Sequence, residues 1–123
     1  MSPITLRLPF PESTNHLYAT VHGRRILSAQ GKAYKEEVGW LVRSAWGGQP
    51  ALRGSVALAF EVHCPDRRRR DLDNLLKIMQ DGLQEGGAFL NDAQVDDLHI
   101  MRGAPEKPGY VVATITKRVP CAS

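Results

Sequence analysis

A chain of 123 residues, 42% of them hydrophobic, is long enough for one domain around a single core without disulfide or metal staples. No apolar run approaches the roughly 20 residues that span a bilayer, and Arg7, Pro9, Pro11 and Glu12 break up any secretory signal. The composition therefore speaks against an integral membrane protein and leads us to expect a cytoplasmic one. Charge is unevenly spread: positions 1–80 carry 12 basic residues against 7 acidic ones, and positions 81–123 carry 4 against 6. The two cysteines, Cys64 and Cys121, are far apart and fit no metal-ligand spacing, so neither a disulfide nor a zinc site is expected.

Taken in order, Ile4, Leu6 and Leu8 alternate with Thr5 and Arg7, which predicts a half-buried strand stopped by Pro9-Phe10-Pro11. A polar loop follows from Glu12 to His16. Leu17 to Leu27, with His22-Gly23 at its middle, reads as a small hairpin carrying Arg24 and Arg25, either an arm toward a ligand or a mobile loop. Ser28 is an N-cap for a helix in which Tyr34, Glu37, Val38, Leu41, Val42 and Ala45 follow helical spacing, most of them as core, and which Gly47-Gly48 ends. Trp40 falls on its charged side with Glu36 and Arg43; a subunit contact is one reading of it. Val56, Leu58, Phe60 and Val62 alternate with small or polar neighbours, as in a central strand. Glu61 and His63 lie opposite that core set and read as edge or interface residues. Gly86-Gly87 closes a second helix. Val95 to Arg102 and Tyr110 to Lys117 read as an antiparallel pair of strands, with residues 118–123 as a frayed tail.

The most informative stretch is Asp66-Arg67-Arg68-Arg69-Arg70-Asp71-Leu72-Asp73-Asn74-Leu75-Leu76-Lys77. Four arginines in a row repel one another, a cost that folding alone does not justify. Arginine forks match phosphate oxygens two at a time, and two nearby carboxylates suit a hard cation such as Mg²⁺. Leu72, Leu75, Leu76, Met79 and Leu83 form the apolar stripe of a helix. Asp71 sits at its N-cap and Asp73 in its first turn, where the helix dipole favours negative charge. Asp73, Lys77 and Asp81 recur every four residues on the polar side. Each feature also has an ordinary reading: a cap with a first-turn acid, a solvated basic surface, an i, i+4 ion pair. Their combination within twelve residues points to chemistry on a phosphodiester.

The block Pro65 to Leu75 resembles the signature of the RusA family of Holliday junction resolvases. Leu8-Pro9-Phe10-Pro11 with Ser13 and Asn15 is similar to that family's N-terminal motif. Ser28-Ala29-Gln30-Gly31-Lys32-Ala33-Tyr34 resembles its first helix start, and Leu90-Asn91-Asp92-Ala93-Gln94-Val95 its third acidic motif. The blocks occur in family order across nearly the whole chain. The sequence departs from the pattern at Thr14, at His16 and at Asn91, which stands where the family has a second acid.

The resemblance implies a single α+β domain over residues 1–123, a mixed β-sheet with two main helices in the rough order β-α-β-α-β-β. It implies a Mg²⁺-dependent endodeoxyribonuclease, with Mn²⁺ as a possible substitute, that resolves four-way junction DNA by paired symmetric nicks in recombination and repair. Asp71, Asp73 and Asp92 would hold the metal and Lys77 would stabilise charge at the phosphorus. Ser13, Thr14, Asn15, His16, Arg67, Arg68, Arg69, Arg70 and Asn74 would contact DNA. A homodimer of bacterial or phage origin is expected, two-fold like its substrate. The competing readings are a less selective branched-DNA or flap nuclease, a non-catalytic junction-binding protein, and an RNA-binding module.

Overall fold

The computed structural model describes residues 3–11, 18–68 and 70–118, and at 18–21, 24–27 and 74 the backbone alone. Six strands and two helices follow in the order β1 (Ile4–Pro9), β2 (Tyr18–Val21), β3 (Arg24–Leu27), α1 (Ala29–Trp46), β4 (Val56–His63), α2 (Leu72–Gly86), β5 (Val95–Arg102) and β6 (Tyr110–Lys117), with a 3-10 turn at Asp92–Gln94. The architecture is the expected α+β arrangement. β2 and β3 form the predicted hairpin, turning at His22 (φ 52°) and Gly23 (φ 75°). Successive positive φ angles give the turn that matches strand twist.

The four-stranded sheet runs β1-β6-β4-β5. β6 lies antiparallel to both β1 and β4, while β5 lies parallel to β4. This corrects the expected β5–β6 pair: β4 stands between them. A parallel neighbour needs a crossover rather than a hairpin, and α2 supplies it, carrying the chain from the end of β4 back to the start of β5. The same placement corrects Glu61 and His63, which sit on a central strand, not an edge. They face away from the helices, where Glu61 Oε1 lies 3.1 Å from His63 Nε2 and the His63 ring stacks on Tyr110.

Both helices cover one face of the sheet. Val56, Leu58, Phe60 and Val62 from β4 meet Tyr34, Val38, Val42 and Trp46 from α1 and Leu75, Ile78, Met79 and Leu83 from α2 in a single core. The stripe on α1 ends on Trp46, and Glu37 and Ala45 are exposed. Ser28 Oγ accepts from the Gly31 N–H at 3.1 Å, and Gly47 (φ 57°) closes the helix with its N–H on the Arg43 carbonyl. The helices touch through small residues. A Cβ at Gly82 would lie 2.9 Å from Val38 Cβ, and one at Gly86 2.8 Å from Gly39 Cα. Cys64 is a buried core residue, as expected. Arg118, assigned to the tail, is tied by its N–H to the Ser55 carbonyl at 2.8 Å. Residues 119–123, Cys121 among them, lie outside the described residues. No helix among the described residues is long and apolar enough to cross a membrane.

Candidate nucleic-acid and metal site

The arginine loop leaves the end of β4 and delivers the chain to the start of α2. Its shape is set from within. Asp66 Oδ1 accepts from the Arg68 N–H at 2.9 Å and from Arg70 Nη1 at 2.7 Å, and Asp66 Oδ2 lies 3.3 Å from Arg70 Nη2. These donors, the Arg70 guanidinium first, hold the Asp66 carboxyl down to about 2. The same pairing raises Arg70 above its ordinary value. The Arg70 guanidinium also lies over the Phe10 ring, 5.3 Å from its centre. Arg102, the last residue of β5, donates from Nη2 to the Arg70 carbonyl at 2.6 Å. Arg70 is therefore engaged inside the loop, unlike Arg67 and Arg68, whose side chains are exposed.

Asp71 occupies the N-cap of α2 without a capping bond from its side chain, and Asp73 lies in the first turn. Both are exposed. One turn on, Lys77 Nζ lies 3.5 Å from Asp81 Oδ2, the i, i+4 contact that the spacing allowed, and 71% of the Lys77 side chain is exposed. Arg67, Arg68, Asp71, Asp73 and Lys77 thus share the N-terminal end of α2. Ser13, Thr14, Asn15, His16 and Arg69 lie outside the described residues, and nothing is described of the Asn74 side chain.

Asp92 is elsewhere. It opens the 3-10 turn between α2 and β5, at the far end of the helix from Asp71. Two rulers agree. From the first to the last of its 15 residues, α2 spans about 21 Å at a rise of roughly 1.5 Å per residue. The eight residues of β5 span about 23 Å, from Val95 beside the Asp92 turn to Arg102 on the Arg70 carbonyl. Asp92 therefore lies on the order of 20 Å from Asp71 and Asp73 within one chain. Consistently, no group of three or more His, Cys, Asp or Glu side chains able to hold a metal ion exists among the described residues. The expected triad is not assembled by one copy of the chain, because parallel β5 must start where α2 ends. A single chain therefore does not fit the metal that the resemblance implies.

The turn that carries Asp92 is firmly built. Asn91 Oδ1 accepts from the Ala93 N–H at 2.8 Å. An aspartate oxygen would do the same, so the charge lost at Asn91 leaves the turn intact. Sequence reasoning gave no role to Asp66, Arg102 or Gln94. Two of these had a legible signal: Asp66 and Arg70 are i, i+4 partners of opposite charge, and Asn91-x-x-Gln94 is a capping-box spacing.

Comparison with known proteins adds an independent line. Residues 9–115 match the family model described as Endodeoxyribonuclease RusA. The chain is 39% identical over 117 residues to the crossover junction endodeoxyribonuclease RusA of Escherichia coli strain K12, covering 95% of this chain and 97% of that one. It is 38% identical, with the same coverage, to the crossover junction endodeoxyribonuclease of Enterobacteria phage 82. Identity at this level across nearly the full length of both chains, together with the ordered motifs, leaves no room for a local coincidence: the chain belongs to the RusA family of endodeoxyribonucleases.

Proposed function

We propose that this protein resolves four-way DNA junctions by Mg²⁺-dependent hydrolysis of phosphodiesters, as a two-fold symmetric homodimer, in recombination and repair. The observation that carries the reading is the end of α2, where exposed Arg67 and Arg68 stand beside exposed Asp71, Asp73 and Lys77. Cations that grip a phosphate backbone flank carboxylates that suit a hard metal. The names of the relatives supply the substrate: they are crossover junction nucleases.

What one chain lacks supports the homodimer. β5 is an outer strand of the sheet, paired only with β4 among the described residues. Of the four large apolar side chains exposed there, Leu90, Leu98 and Met101 lie on β5 or just before it, and only Trp40 lies elsewhere. An unpaired edge with apolar flanks is suited to a second strand. If two copies pair through β5 about a two-fold axis, the strands run antiparallel, and each N-terminal end meets the other's C-terminal end. Asp92 of the second copy then comes beside Arg102, Arg70, Asp71 and Asp73 of the first. Both sites form at once, one for each nicked strand.

A divalent cation so held would lower the pKa of bound water and stabilise charge on the phosphorus oxygens. The chain's own groups have separate tasks. Arg67 and Arg68 fix the phosphates flanking the cut. Arg70, held by Asp66, shapes the loop that presents Asp71. The Lys77 ammonium, free to exchange Asp81 for a phosphate oxygen, offsets the growing negative charge.

The test is a labelled four-way junction incubated with and without Mg²⁺. Wild-type protein is expected to give paired symmetric nicks only with the metal. Asp71→Asn is expected to bind the junction without cutting it. Cleavage of a flap substrate as fast as the junction would replace this reading with a general branched-DNA nuclease.

A further inference from the structure

Gln94 makes more hydrogen bonds through its side chain than any residue near it. Its Oε1 accepts from the N–H groups of Leu90 and Asn91, both at 2.8 Å. Its Nε2 donates to the carbonyls of Leu52 and Gly54, both at 2.9 Å. Two acceptor and two donor positions are all that a primary amide has. The amide therefore fastens the turn holding Asp92 to the segment that leads into β4, 42 and 40 residues back in the chain. Leu52 is itself fixed, through its bridge to Phe89 and its N–H on the Ala88 carbonyl at 2.9 Å.

We infer that Gln94 is a positioning residue for Asp92, setting where that carboxylate stands relative to the β5 edge. The inference rests on the proposed role of Asp92 in cleavage. Gln94 touches no reacting atom; it acts by tying the backbone N–H groups of Leu90 and Asn91, which lead into the turn, to the carbonyls of Leu52 and Gly54. Nothing smaller reaches both partners, and a carboxylate in its place keeps the acceptors but sets negative charge against two carbonyl oxygens. Partners of this kind, one step removed from a ligand, typically change affinity or activity by about 10–100-fold when lost.

The experiment compares Gln94→Ala, Gln94→Glu and Asp92→Asn with wild type. Single-turnover junction cleavage, junction Kd without Mg²⁺, the Mg²⁺ midpoint and hydrogen exchange of the Leu90 and Asn91 amides are measured well below each variant's Tm. Gln94→Glu keeps acceptors for the turn and so guards against Gln94→Ala failing to fold. The expected result is cleavage slowed about 10–100-fold in both Gln94 variants, with unchanged junction Kd and a higher Mg²⁺ midpoint. Leu90 and Asn91 should exchange faster in Gln94→Ala. Wild-type cleavage by both Gln94 variants, with Asp92→Asn inactive, would overturn the inference alone. Wild-type cleavage by Asp92→Asn would overturn the role of Asp92 and the inference with it.

Discussion

The Arg70 guanidinium lies 2.7 Å from one carboxylate oxygen of Asp66 and 3.3 Å from the other. The residue closest to the first metal-suited acid is thus spent on holding its own loop. Because the Asp66 carboxyl titrates at about 2, below its unfolded value of 3.8, its contribution to stability is present in full above pH 3.8 and is lost as pH falls through about 2. Asp66→Asn is expected to melt below wild type at neutral pH, with the gap closing as pH falls toward about 2. Thermal melts of both proteins across that pH range check it; a gap that stays constant would remove this pair from the pH dependence.

Arg67 and Arg68 should behave differently from Arg70. As exposed phosphate contacts, each is expected to lower the slope of log affinity against log salt by about 0.9 when changed to alanine. Junction binding measured over a series of salt concentrations reads this directly. Arg70→Ala is expected to slow cleavage as well, because the loop carrying Asp71 loses its internal tie.

Mixing two inactive variants tests the shared site. Asp71→Asn and Asp92→Asn are each expected to be inactive alone. If each site takes Asp71 from one copy and Asp92 from the other, a mixed dimer contains one intact site and one doubly changed site. Mixtures allowed to exchange subunits should then nick one strand of the junction. Mixtures that stay silent although mixed dimers have formed would place all three acids on one chain.

The β5 edge makes its own prediction. Leu98→Lys sets like charges against each other across the two-fold and should shift the protein toward monomer in sedimentation, with loss of cleavage. Trp40→Ala, on the far helix, should leave the dimer unchanged.

Gly82→Ala tests the helix contact. The added methyl meets Val38 at 2.9 Å, inside ordinary contact. Overpacking of this kind costs about 1–3 kcal/mol, or several degrees of Tm for a domain of this size. Calorimetry would show it, and an unchanged Tm would mean that the helices separate freely.

Much of this was legible from local pattern. The alternation of Ile4, Leu6 and Leu8, the Ser28 cap, the His22-Gly23 turn and the leucine stripe of α2 are short-range features, governed by side-chain periodicity and backbone preference within a few residues. The arginine-aspartate block likewise announced its chemistry within twelve positions. What periodicity carries no trace of is which strand neighbours which. Alternation in Val95–Arg102 and Tyr110–Lys117 is the same whether they pair or β4 parts them, and that one choice sends Asp92 to the opposite end of α2 from Asp71. Nor does any local pattern tell that Gly82 comes against Val38, or that Gly86, read only as part of the pair closing the helix, comes against Gly39. That Arg70 also closes on Asp66 is seen only in the folded loop. In each case the deciding contact joins parts of the chain through space, where direction and distance are set by the packed sheet and helices and not by any residue's neighbours in sequence.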